Sequence, residues 1–113
     1  MIYYHNPRCS KSREGLKIIE EGNHNFIIKL YLSEKITFTE IVQIINKLKI
    51  KPIDLVRKNE KIIKEKDLDL NIMSDKEIIE TLVKNPILIE RPILVTDTKA
   101  IVGRPPELIN TIL

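Results

Sequence analysis

Two short apolar runs separated by a single helical segment open this chain, and that spacing constrains its fold more than any other feature. Met1 to Tyr4 read as a strand and His5 to Ser12 as a polar loop. The segment to about Glu21 reads as a helix with an apolar stripe of Leu16, Ile18 and Ile19, and Gly22 is a natural stop. Phe26 to Leu30 is a second apolar run of β propensity and is expected to be a buried strand. A strand, one helix and a strand in a common sheet form a right-handed parallel unit.

The middle of the chain turns helical. Thr37-Phe-Thr-Glu40 is a capping-box pattern followed at helical spacing by Ile41, Ile44, Ile45 and Leu48. Pro52 suits the first turn of a short helix through Leu55 and Val56. Ser74-Asp-Lys-Glu77 is a second capping box, with Ile78, Leu82 and Val83 as its buried stripe and Asn85-Pro86 as its end. Ile93 to Thr96 and Lys99 to Val102 are apolar runs joined by Asp97-Thr98, a hairpin by turn chemistry. Pro105 or Pro106 then opens a terminal helix carrying Leu108, Ile109 and Ile112. The order β-α-β, helices, β-β, α is the thioredoxin plan with an expanded central connection. The expected class is α/β: a thioredoxin-like mixed four-stranded sheet in a single domain over residues 1–113. A helical insertion (about 37–85) separates the βαβ unit from the C-terminal ββα unit.

Composition narrows the setting. The chain has 113 residues, 42% hydrophobic and 31% charged, which suits one globular domain and excludes disorder. No apolar run nears the ~18 residues of a membrane span, and the N-terminus lacks the basic and apolar regions of a secretory signal. A cytoplasmic protein with no membrane partner is expected. The net charge of +3 is spread along the chain, so a nucleic-acid partner is not expected. Fourteen lysines against five arginines make Lys the routine surface cation, which leaves Arg for places needing a rigid planar fork.

Cys9 is the only cysteine, so neither an intramolecular disulfide nor a multi-cysteine metal site can form. It lies at a strand-to-helix junction, where the free backbone N–H groups and dipole of the following helix favour a thiolate. Arg8, Lys11 and Arg13 push the same way. The same N–H groups bind oxyanions, so one loop offers a nucleophile and an anion cradle. His5 reads either as a polariser of the thiol or as a loop histidine bonded to backbone. Ser12 stands where dithiol proteins of this fold carry a second cysteine. Its hydroxyl can hydrogen-bond a thiolate but cannot resolve a mixed disulfide, so the resolving thiol must come from another molecule. The position six residues after Cys9 is Gly15, which excludes the Cys-x5-Arg loop of low-molecular-weight phosphatases.

Arg57 ends the short helix, Arg91 precedes Pro92, and Arg104 follows the last strand. In a thioredoxin-like fold the segment before the hairpin passes the active cysteine and its proline is typically cis, which would bring Arg91 beside Cys9. Three converging guanidinium groups would hold a tetrahedral oxyanion through bidentate contacts and stabilise charge as an adduct forms.

With these residues the chain resembles the arsenate reductases that couple to glutathione and glutaredoxin. The resemblance runs from Ile2 to the end and rests on five segments: Tyr4-His-Asn-Pro-x-Cys9, Cys-x-x-Ser12, Leu55-Val-Arg57-Lys-Asn59, Asn85-Pro-Ile-Leu-Ile-x-Arg91-Pro92-Ile and Gly103-Arg104-Pro105. It implies that Cys9 attacks arsenate held by Arg57, Arg91 and Arg104, with His5 and Ser12 assisting. Glutathione is implied as co-substrate and glutaredoxin as partner, with no bound cofactor or metal. Ser10 and Lys11 depart from the Gly-Thr pair of well-characterised members, and the extra bulk and charge bear on anion access. Two other functions fit the same fold. A Spx-type regulator that binds RNA polymerase generally carries Cys-x-x-Cys, which Ser12 removes. A glutaredoxin-like reductase of mixed disulfides leaves the three arginines without a role.

Overall fold

The computed structural model describes all residues, 1–113. The chain divides into two compact units: Met1–Lys35 together with Arg91–Leu113, and Ile36–Glu90. No helix is long and apolar enough to cross a membrane.

The first unit contains β1 (Ile2–Tyr4), α1 (Ser10–Glu21), β2 (Ile27–Lys29), β3 (Ile93–Val95), β4 (Ala100–Val102) and a 3₁₀ helix, Pro106–Thr111. The strands form one mixed sheet in the order β2-β1-β3-β4. β1 runs parallel to β2, with Tyr3 opposite Ile28, and antiparallel to β3, with Tyr3 opposite Leu94. β3 and β4 are antiparallel, and the Thr96 N–H donates to the Lys99 carbonyl at 2.8 Å to close the hairpin. This is the thioredoxin-like α/β plan, a βαβ opening and a ββ hairpin followed by a terminal helix.

Tyr3, Ile19, Leu94 and Ile109 form the buried centre of this unit, with Leu16, Ile18, Phe26 and Ile101 packed around them. Each such aliphatic side chain contributes about 1.5–3 kcal/mol when fully buried. α1 packs on the 3₁₀ helix, and Gly15 makes the approach possible. A Cβ there would collide with the Tyr3 hydroxyl and come within 2.7 Å of Ile109 Cδ1.

Two expectations need correction here. β2 is not a buried strand but a sheet edge, with Ile27 68% and Ile28 39% exposed. An apolar run reports β propensity, not whether a second strand covers its far side. The terminal helix is 3₁₀ rather than α, and only Ile109 of its expected apolar residues is fully buried. α1 ends where expected, with Gly22 as its C-cap at φ −93°, and the left-handed conformation falls one residue later at Asn23, with φ of 55°.

The second unit contains α2 (Phe38–Leu48), a 3₁₀ turn (Pro52–Leu55), α3 (Lys61–Glu65), α4 (Asp75–Lys84) and a 3₁₀ turn (Pro86–Leu88). Both capping boxes form. The Thr37 and Ser74 side chains accept from the N–H groups of Glu40 and Glu77, whose carboxylates accept from the two cap N–H groups. α2 packs on α4. The buried face of α4 is Ile78, Ile79 and Leu82, so Ile79 takes the place expected of Val83, which is half-buried. Val56 and Ile89 form an antiparallel bridge that ties the two 3₁₀ turns together.

Candidate active site

Cys9 is the N-cap residue of α1, in extended conformation at φ −95° and ψ 123°, and is partly exposed. The loop before it is fixed by Asn6. The Asn6 side-chain oxygen accepts the Arg8 N–H at 3.0 Å, and its carbonyl accepts the Cys9 N–H at 3.0 Å. The Asn6 N–H in turn donates to Ser12 Oγ at 2.9 Å. Asn6 is itself buried, so a polar residue at three junctions sets the turn that presents the sulfur.

Ser12 is completely buried. Its hydroxyl shares a hydrogen bond with His5 Nδ1 at 2.7 Å, and its carbonyl accepts from the Tyr3 hydroxyl at 2.6 Å. The expected hydroxyl contact to the thiolate is therefore replaced by a bond to His5, and Ser12 acts on the sulfur through its backbone N–H. His5 is buried; desolvation, with Arg13 adding to it, lowers its pKa and favours the neutral ring. Burial likewise raises the Tyr3 hydroxyl above its usual range.

Two arginines meet the sulfur. Arg104 Nη2 donates to Cys9 Sγ at 3.6 Å while its Nε donates to the Arg91 carbonyl at 2.7 Å. The Arg91 guanidinium also hydrogen-bonds the sulfur. Burial of Cys9 opposes ionisation. The Ser12 N–H, the Arg91 guanidinium and the Lys11 N–H outweigh it and hold the thiol below its ordinary value. The Lys11 side chain pairs with Glu14 at 3.7 Å on an exposed face of α1.

The Arg91–Pro92 bond is cis, as expected from the fold, and Arg104–Pro105 is cis as well, which the sequence did not suggest. The Gly103 N–H donates to the Pro92 carbonyl at 2.9 Å and so fastens the Arg104 turn to the Arg91 turn. A Cβ at Gly103 would press on Pro92 and Ile109 at 2.9 and 3.0 Å. His5, Cys9, Ser12, Arg91 and Arg104 thus gather in the first unit. Arg57 belongs to the second unit, where its Nε binds Glu60 at 3.0 Å and its backbone N–H donates to the Leu88 carbonyl at 2.7 Å. Tyr3 and Asn6 were not singled out from sequence, although Asn6-Pro7 is a turn signal. No three His, Cys, Asp or Glu side chains are grouped to hold a metal.

The family model that matches this chain is that of the ArsC family, over residues 4–112. The chain belongs to the ArsC family. An arsenate reductase of Haemophilus influenzae is 39% identical, with 100% of this chain and 98% of that one covered. A Neisseria meningitidis arsenate reductase is 35% identical over 97% and 95%. An uncharacterized Escherichia coli K12 protein, YfgD, is 38% identical over 97% and 93%. Among solved structures, an arsenate reductase from Vibrio cholerae superposes with a TM-score of 0.93 at 34% identity, covering 99% of this ArsC chain and 96% of its own.

Proposed function

We propose that this ArsC-family chain reduces arsenate to arsenite, with Cys9 as nucleophile and glutathione and glutaredoxin as the source of electrons. The observation that carries the reading is a thiol held toward its thiolate form beneath two guanidinium groups. A thiolate alone would suit many exchange reactions. The two planar cations add a seat for a tetrahedral oxyanion and stabilise the charge that shifts as it reacts.

In the proposed cycle the Cys9 thiolate attacks As(V), an As–S bond forms, and one arsenate oxygen leaves as water after protonation. The glutathione sulfur then bonds to the Cys9 sulfur, and the As–S electron pair returns to arsenic. Arsenic is thereby reduced from +5 to +3 and leaves as arsenite, while the two sulfurs are oxidised to a Cys9–glutathione disulfide. Glutaredoxin returns Cys9 to the thiol by exchange; with no second cysteine in the chain, the thiol for that step must come from another molecule. Ser12 and His5 support the thiolate indirectly, by fixing the first turn of α1. Arg57 enters this reading through the family resemblance alone. A cytoplasmic setting, where glutathione keeps thiols reduced, belongs to the same proposal.

The test is a coupled assay of wild type and Cys9→Ser with arsenate, glutathione, glutaredoxin, glutathione reductase and NADPH, following NADPH loss and arsenite together. Turnover in wild type alone is expected. Folded, reduced wild type that forms no arsenite would refute the assignment.

A further inference from the structure

A cleft of about 330 Å³ opens beside the Cys9 loop, walled by Pro7, Arg8, Leu30 and Leu32, with buried His5 and Asn6 also contributing. It lies at the carboxyl ends of the parallel pair β1 and β2, the position at which open α/β sheets commonly bind ligands. Its second wall is held firmly. The Ser33 and Glu34 N–H groups donate to the Leu30 carbonyl at 3.0 and 2.7 Å, and the Leu30 N–H donates to the Glu34 carboxylate at 2.7 Å. Leu30 and Leu32 are nonetheless 37% and 42% exposed, so an apolar surface is presented on a fixed turn.

Resting on the arsenate reading above, we propose that this cleft binds glutathione, a small anionic thiol, and delivers its sulfur to the adduct on Cys9. The lone cysteine requires the resolving thiol to come from outside. Arg8 on the cleft wall is adjacent in sequence to Cys9, about 3.8 Å along the backbone. The lining residues include one cation and no acid, and the Glu34 carboxylate, which does not line the cleft, is engaged by the Leu30 N–H. The lining therefore complements the net negative charge of the tripeptide. The volume lies at the lower end of small-molecule sites and suits a tripeptide rather than a protein domain. Neither Arg91 nor Arg104 lines it, so oxyanion and thiol occupy different surfaces.

The test has two arms. S-methylglutathione, which cannot react, is titrated into the Cys9→Ser protein and followed by amide chemical shifts; the changes are expected at Leu30, Leu32 and Ser33. In steady-state turnover Leu32→Glu is expected to raise the KM for glutathione roughly tenfold through like-charge repulsion. Leu32→Lys should not raise it, and the KM for arsenate should hold in both. Shift changes confined elsewhere, an unchanged KM in Leu32→Glu, or an equal rise in both variants would overturn the proposal. Shifts at the cleft without arsenate turnover in wild type would refute the arsenate reading and leave the cleft assignment standing.

Discussion

At the residue scale the site depends on opposing effects on one sulfur. Burial disfavours the Cys9 thiolate, while two backbone N–H groups and the Arg91 guanidinium favour it, and the balance falls below the ordinary thiol value. The thiolate fraction therefore rises at lower pH than for a free cysteine. Arg91→Ala should move the pH dependence of iodoacetamide alkylation back toward the ordinary range, and an unchanged profile would contradict the balance described. Because charge-assisted hydrogen bonds contribute about 1.5–3 kcal/mol, Arg91→Ala and Arg104→Ala should each lower kcat/KM for arsenate roughly 10- to 100-fold. His5 gives a second pH signature. Its folded-state pKa lies below the usual 6.5, so as pH falls past 6.5 the unfolded chain takes up a proton that the folded chain resists, and stability declines. His5→Asn should lack that increment, as seen in Tm measured from pH 8 to pH 5; parallel curves for the two proteins would contradict it. The cysteine and the distal Arg91 and Arg104 were legible because their chemistry is unusual in a Lys-rich chain, whereas Arg13, expected to act on the sulfur, donates to the Pro7 carbonyl instead. Asn6 and Tyr3 were not, since each acts through backbone groups that only the folded loop brings within reach.

At the element scale, local chemistry was the most readable part of the chain. Both capping boxes form as their sequences require, because Thr37 and Ser74 need only partners three residues away. Ser74→Ala should cost about 1 kcal/mol in urea unfolding, and no change would show that the cap is redundant. What sequence could not give was the neighbour on the far side of an element. The run around Ile27 and Ile28 has strand composition, yet it lies at the sheet edge because β1, its one partner, pairs on its other side with β3 near the far end of the chain. Gly15 teaches the same lesson in reverse. On helix propensity Gly15→Ala should stabilise α1 by up to ~1 kcal/mol, but its Cβ would meet Tyr3 and Ile109. Overpacking of about 1–3 kcal/mol should win, so Gly15→Ala is expected to lower the urea midpoint, and a rise would show that the packing yields.

At the scale of the whole molecule, composition and spacing gave the class of fold, and the substrate class came from the site and its resemblance. Paired guanidinium groups recognise a tetrahedral oxyanion by shape and charge, and neither property separates arsenate from phosphate. The separation lies in the chemistry, because As(V) accepts two electrons from sulfur and phosphate does not. Phosphate should therefore compete with arsenate, raising its apparent KM without lowering kcat. The central claim is that Cys9 and one outside thiol together supply those two electrons. Its most direct test is a single turnover of the reduced protein with arsenate and glutathione, glutaredoxin withheld, read by intact-mass spectrometry and arsenite assay. One arsenite and one glutathione disulfide at Cys9 per chain are expected, with neither formed when arsenate is omitted. Arsenite appearing without a Cys9–glutathione disulfide, or no arsenite at all, would contradict it.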